Sequence, residues 1–286
     1  ENRIRLTLQQ IKERNNYRQR IPLQSSDGGR IITIEGRDYL NFSSNDYLGL
    51  SHSKELIAAW QEGVKSFGVG SGGSGHVVGY HQPLAEFEET LADWLGYERA
   101  ILFSSGFSAN QAIINTLLTK EDSIIADRLS HASLLEAAFL SPARLRRFHH
   151  NGITSLAKQL SYPAEAKLVV TEGIFSMDGD EAPLSSISEL VKKEKNAWLL
   201  VDDAHGIGVQ GRGGRGTCDK YGIKPELLVV TFGKAFGMSG AAILMSDYVA
   251  EYFTQKCRAL IYSTAPAPAH AYALQSGITL IQQSDD

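Results

Sequence analysis

Two short segments of this 286-residue chain deliver ionisable side chains directly after apolar runs. Ala197-Trp198-Leu199-Leu200-Val201 leads into Asp202-Asp203-Ala204-His205-Gly206, and Glu226-Leu227-Leu228-Val229-Val230 leads into Thr231-Phe232-Gly233-Lys234-Ala235-Phe236-Gly237. Runs of this length and β-branched or aromatic content read as buried strands. Ligands in open α/β sheets bind beyond the carboxyl ends of such strands, so Asp202, His205 and Lys234 are candidates for one shared site. An Asp facing a pyridine nitrogen and a Lys able to form an imine are the two protein groups that pyridoxal phosphate (PLP) chemistry requires.

Each residue also has a plainer role to weigh. A lone Lys is usually a surface residue. Here Phe232 and Phe236, with no acid close in sequence, favour a sheltered amine whose lowered pKa makes it a nucleophile and base. Asp202 could hold a ring nitrogen protonated through a charge-assisted hydrogen bond. Alternatively it could cap a helix or, with Asp203, bind Mg²⁺. His205 could donate to a ring oxygen or serve only as a structural histidine. The turn Ser104-Ser105-Gly106-Phe107-Ser108-Ala109-Asn110 follows a strand and opens a helix, a ready anion site for a cofactor phosphate. His131 lies at a strand-to-helix turn where it could stack on a flat ring, or stand beside a helix-capping Ser130. Ser176 follows another strand and could contact a ligand or only cap a turn. The run Gly68-Val69-Gly70-Ser71-Gly72-Gly73-Ser74-Gly75 lacks both a preceding strand and a following GK[ST]. It therefore reads as a flexible substrate-covering loop rather than a nucleotide loop.

The elements that must position these residues alternate. Residues 4–20 have helical spacing that Pro22 stops, and residues 29–37 read as a small hairpin turning at Glu35-Gly36. Helices are expected over 53–66 and 83–96. Beyond them, strands at 100–103, 123–126 and 168–171 are each followed by a helix, near Ser108, Ser133 and Ser185, and a last helix begins near Ala267. Such alternation implies a mostly parallel sheet flanked by helices, an α/β fold with an N-terminal arm. The domain reading is 1–50 for a helical arm and hairpin, 51–270 for a large α/β domain, and 271–286 for the start of a truncated C-terminal domain.

Composition narrows the function classes. Hydrophobic residues make up 43% of the chain and the net charge is −4, so a large core is available and nothing calls for nucleic acid or a membrane surface. The cluster Arg144-Leu145-Arg146-Arg147 reads as a solvated helix end. Cys218 and Cys257 are far apart and lack metal-ligand spacing, which fits a reducing compartment, and no metal is expected. With no membrane-length apolar stretch and no apolar signal core, the location is read as cytoplasmic.

Taken together, six ordered motifs make the chain resemble the α-oxoamine synthases, which are fold-type-I PLP-dependent transferases. The motifs are Asn41-Phe42-Ser43-Ser44-Asn45-Asp46-Tyr47-Leu48-Gly49-Leu50, Gly70-Ser71-Gly72-Gly73-Ser74-Gly75, and the segments 127–133, 176–180, 201–206 and 231–237. The wording Asp202-Asp203-Ala204-His205-Gly206 is similar to the alanine-using branch. The resemblance implies that Lys234 carries the cofactor, Asp202 meets its ring nitrogen, and His131 stacks on the ring. It also implies that His205 and Ser176 contact the ring oxygen, that Thr231 binds the phosphate, and that Gly106 and Phe107 lie at the cofactor. Arg18, or Arg20 close by, approaches the acyl substrate, and Asn45 sits near the amino-acid carboxylate. The implied reaction is decarboxylative condensation of L-alanine with a pimeloyl thioester, carried by CoA or acyl carrier protein, as a step of biotin synthesis. The implied assembly is a homodimer in which residues 255–264 reach the neighbour's cofactor phosphate. Members of the family continue into a small C-terminal domain, including a carboxylate-binding arginine, that this chain is expected to lack. A sister synthase using glycine or serine, and a catalytically silent partner subunit, are the alternatives. The presence of Lys234, Asp202 and His131 argues against the second.

Overall fold

A computed structural model describes residues 1–284 and resolves two units, residues 1–44 and residues from 45 onward. The first contains helix α1 (Asn2–Glu13) and an antiparallel sheet of β1 (Gln24–Ser26), β2 (Ile31–Ile34) and β3 (Arg37–Leu40). The expected hairpin turn is present at Glu35 and Gly36, both at positive φ, 51° and 77°. The arm helix is shorter than its periodicity suggests. It ends at Glu13 because Asn15 turns to φ 55°, a conformation that Asn tolerates better than most residues.

The second unit opens with α2 (Lys54–Phe67) and α3 (Gln82–Leu95), then alternates β4 (Arg99–Phe103), α4 (Gly106–Leu117), β5 (Ser123–Asp127), α5 (Ala132–Leu140), β6 (Arg144–Phe148), α6 (Ile153–Leu160), β7 (Lys167–Glu172), α7 (Leu184–Lys192) and β8 (Ala197–Asp202). It closes with α8 (Thr217–Lys220), β9 (Leu227–Thr231), β10 (Ala241–Met245), α9 (Asp247–Lys256), α10 (Arg258–Ile261) and α11 (Pro268–Gln283). The sheet order is β4-β10-β9-β8-β7-β5-β6. β10 runs antiparallel to both neighbours and the remaining pairs are parallel, so the mostly parallel sheet is present.

Strand periodicity divides the core into two layers. Leu199 and Val201 of β8, with Leu228 and Val230 of β9, pack with Phe87 and Trp94 of α3 and with Leu274 and Ile278 of α11. Leu200, Leu227 and Val229 face the opposite layer, with Ile113 and Ile114 of α4, Leu134 of α5 and Phe253 of α9. Residues 271–283 run within α11, which packs on α2 and α3.

Two expectations are corrected here. Arg144, Leu145, Arg146 and Arg147 are not a helix end but β6, the sheet's edge strand, whose charges guard an open edge against further pairing. The Gly-rich run is pinned rather than free. Ser71 is buried and donates to Ala265 O at 2.7 Å, and Ala265 N donates to Gly73 O at 2.9 Å.

Candidate active site

The carboxyl ends of β5, β7, β8 and β9 lie on one side of the sheet and present Asp127, Glu172, Asp202 and Thr231. Register places Glu172 opposite Asp202. Lys234 follows β9 in a half-buried position. Burial lowers its pKa, against the opposing pull of Asp202 and Glu172. The acids that sequence neighbourhood does not supply thus come from other strands. A lysine held this way is more readily neutral and nucleophilic than one in water.

Asp202 is buried and oriented by two donors, Asn110 Nδ2 at 2.7 Å on Oδ2 and Ala204 N at 3.1 Å on Oδ1. Asp203 serves a different place. Its carboxylate accepts from Thr217 N at 2.7 Å and Thr217 Oγ1 at 2.5 Å, so the two acids do not form a joint cation site. A Cβ at Gly173 or Gly206 would fall 2.2 Å from Asp203 Oδ1, which accounts for glycine at both positions.

His205 is pushed down to about 4, first by burial and then by the Lys234 charge, so the ring is neutral near pH 7. Its Nδ1 lies 2.6 Å from the Tyr47 hydroxyl, which also stands 3.5 Å from Asn45 Oδ1. Burial raises the Tyr47 pKa, which keeps that hydroxyl protonated. The hydroxyl can donate to Nδ1 or accept from it, and in either case the contact fixes the orientation of the imidazole.

His131 presents an exposed imidazole at the start of α5. It, not Ser130, caps this helix, with Ser133 N donating to Nδ1 at 3.2 Å, and its own backbone N–H donates to Glu172 Oε1 at 2.6 Å. Burial, and next the Asp202 charge, push Glu172 up to about 8. Gly106 begins α4 against Thr231, where a Cβ would meet Thr231 Cγ2 at 2.7 Å. Phe107 is partly exposed beside it.

The structure therefore gathers Lys234, Asp202, His205 and His131 by their mutual electrostatics, and Gly106 and Thr231 by contact. Asn45 joins through Tyr47, and Ser176 is exposed in the loop after β7. Arg18 and Arg20 belong to the first unit and are exposed there. Sequence reasoning assigned no role to Tyr47, Asn110 or Glu172, although all three lie in segments it singled out.

A doubly wound sheet with a lysine, a carboxylate and a glycine-opened helix start at its strand ends is the arrangement of a class of cofactor-dependent transferases. The chain belongs to the aminotransferase class I and II family, whose model matches residues 37–284. Within that class it is similar to the 8-amino-7-oxononanoate synthase of Erwinia tasmaniensis, 58% identical over 285 residues that cover 99% of this chain and 74% of the relative. Among solved structures it is similar to a serine palmitoyltransferase from S. paucimobilis with bound PLP–myriocin aldimine. That match has a TM-score of 0.90 at 30% identity and covers 98% of this chain and 72% of the other. A Francisella tularensis 8-amino-7-oxononanoate synthase matches with a TM-score of 0.75 at 35% identity, over 85% of this chain and 69% of that one.

Proposed function

We propose that the chain is a PLP-dependent acyltransferase that condenses L-alanine with a pimeloyl thioester to 8-amino-7-oxononanoate, the biotin-pathway activity its relatives are named for. The observation that carries this is the convergence of Lys234, Asp202 and a neutral His205 at the ends of β8 and β9. The residues fit PLP on structural grounds. Thr231 Oγ1 is buried without a hydrogen-bond partner, beside the glycine that opens α4, where first-turn amides favour a phosphate. Bound PLP supplies an electron-poor ring that absorbs negative charge developing at the alanine α-carbon.

The protein's own groups divide the remaining work. Lys234 Nζ is the amine that would anchor the cofactor and, as a free amine, the base that would take the alanine Cα proton. Asp202, oriented by Asn110, holds the ring nitrogen's proton. His205 and Ser176 would contact the ring oxygen, His131 would cover one ring face, and Thr231, with Gly106 and Phe107, would hold the phosphate. Asn45 would sit near the amino-acid carboxylate. A C–C bond forms between alanine Cα and the thioester carbonyl, the C–S bond breaks, the alanine carboxylate leaves as carbon dioxide, and the α-carbon is reprotonated. The acyl group arrives on CoA or acyl carrier protein, and the working unit is a homodimer in the cytoplasm. No helix among the described residues is long and apolar enough to cross a membrane.

The test is the visible spectrum with PLP of wild type and Lys234→Ala, titrated with L-alanine, glycine and L-serine. We expect a lysine-linked band that the variant lacks and that L-alanine perturbs at the lowest concentration. Preference for glycine or serine assigns a sister synthase instead. A wild type with no such band returns the chain to a silent partner subunit.

A further inference from the structure

A second cluster of charged groups lies at the carboxyl ends of β5 and β6, apart from Lys234. His150, just past β6, sets both ring nitrogens against carboxylates, Nδ1 at 2.9 Å from Asp127 Oδ1 and Nε2 at 2.6 Å from Asp180 Oδ2. A carboxylate can only accept, so both nitrogens donate and the ring is an imidazolium cation in this geometry. Burial works against that charge, yet the two carboxylates outweigh it and raise the His150 pKa above 6.5. The ring stands edge-on to Phe175, with centroids 4.5 Å apart. Asn151 repeats the link. Its backbone N–H donates to Asp127 Oδ2 at 2.8 Å, and its Nδ2 donates to Asp180 Oδ2 at 2.8 Å, with the backbone held at φ 53°.

Each of these aspartates belongs to a turn that the PLP reading uses. Asp127 Oδ1 accepts Leu129 N at 2.8 Å, and its carbonyl accepts Ser130 N at 3.2 Å, which shapes the turn leading to His131. Asp180 O accepts Phe175 N at 2.9 Å and so closes the loop that carries Ser176. We propose that His150 is a positioning residue, an ionic cross-link between the two turns that holds His131 and Ser176 in one arrangement for gripping the cofactor ring. The proposal rests on the PLP reading above. The charged groups facing the ring are Asp127 and Asp180. The next acid along the loop, Glu181, is engaged by Lys220 at 2.8 Å and Tyr221 at 2.6 Å. A neutral imidazole donates from one nitrogen only, so deprotonation removes the ionic bridge and leaves Asn151 as the remaining tie between the turns.

The experiment is a PLP-binding titration of the purified wild type, His150→Phe and Asp180→Asn from about pH 6.5 to about 8.5, with far-UV circular dichroism of each and Lys234→Ala as control. Phenylalanine keeps a flat ring against Phe175 but donates nothing. We expect PLP affinity to fall about tenfold in folded His150→Phe, in the range of couplings within one ion-pair network. The wild type should lose affinity toward the variant's as pH rises, whereas the variant's profile lacks that limb. Asp180→Asn, which leaves the ring and its Asp127 bond in place, shows a smaller loss in the same direction and decides the matter if His150→Phe fails to fold. Variants that match wild type within about twofold at every pH, with the lysine-linked band intact, overturn the role of His150 alone. A wild type whose spectrum matches that of Lys234→Ala overturns the PLP reading, and this proposal with it.

Discussion

His205 and Tyr47 are 158 positions apart in sequence, yet they meet at 2.6 Å, and that contact fixes the orientation of the imidazole. Tyr47→Phe removes the hydroxyl and leaves a half-buried ring nitrogen unsatisfied. Losses of this kind cost about 1–3 kcal/mol and lower the melting temperature by about 2–4 °C per kcal/mol, and because the same hydroxyl orients His205, kcat/KM for the condensation is expected to fall on the order of tenfold as well. Steady-state kinetics alongside thermal melts will check this; unaltered kinetics would assign the contact to packing alone. Lys234 and Asp202 are legible in the sequence because each follows its strand within a few residues and its chemistry is intrinsic to its type. Asn110, Glu172 and Tyr47 are not, because what makes them functional is a partner on another element. Asn110 reaches Asp202 across 92 positions, and Glu172 receives the His131 amide across 41.

At the scale of elements, the decisive joint is where α4 starts against the end of β9. Gly106→Ala places a Cβ 2.7 Å from Thr231 Cγ2, so the helix start or the strand end must shift. Overpacking of this kind costs about 1–3 kcal/mol, and it also displaces the hydroxyl and amides assigned to the phosphate. Adding Thr231→Ser removes Cγ2 but keeps the hydroxyl. The double variant is therefore expected to regain most of the stability and PLP affinity lost by Gly106→Ala alone. Chemical denaturation and PLP titration of both single variants and the double variant measure this, and additive losses would show that the contact is not the cause. Strands β4, β5, β7, β8 and β9 are readable from their apolar runs, but β6 and β10 are not. β6 carries arginines because an edge strand must discourage further pairing, and that charge conceals its strand character. β10, the five-residue run Ala241 to Met245, fits antiparallel between β4 and β9, a placement that no local pattern encodes.

For the whole molecule, gathering so many ionisable groups at one end of the sheet has a consequence for stability. Burial pushes Glu172 up to about 8 and Glu88 and Asp203 up to about 7. Between the unfolded carboxylate range and those values, the folded chain holds protons that the unfolded chain has released, so stability falls as pH rises. The raised His150 acts in the same direction, since its contribution is complete below 6.5 and is lost as pH climbs through its native value. His205, lowered to about 4, and His270, also lowered by burial, act oppositely. Their contribution grows with pH and is complete once the unfolded histidine value of 6.5 is passed. Lys234 adds stability only above its own native pKa, toward the ordinary lysine range. Below about pH 6.5 the two sets oppose one another, and from there to about pH 8 the destabilising set dominates. The PLP-free protein is therefore expected to melt at progressively lower temperature across that upper interval. Glu172→Gln, which cannot titrate, should make the decline shallower. Scanning calorimetry of wild type and Glu172→Gln in matched buffers decides the point. A wild-type melting temperature that stays level or rises across the interval would mean that the carboxylates at the strand ends are already ionised in the folded chain, and that Lys234 sits in a more strongly anionic site than its burial implies.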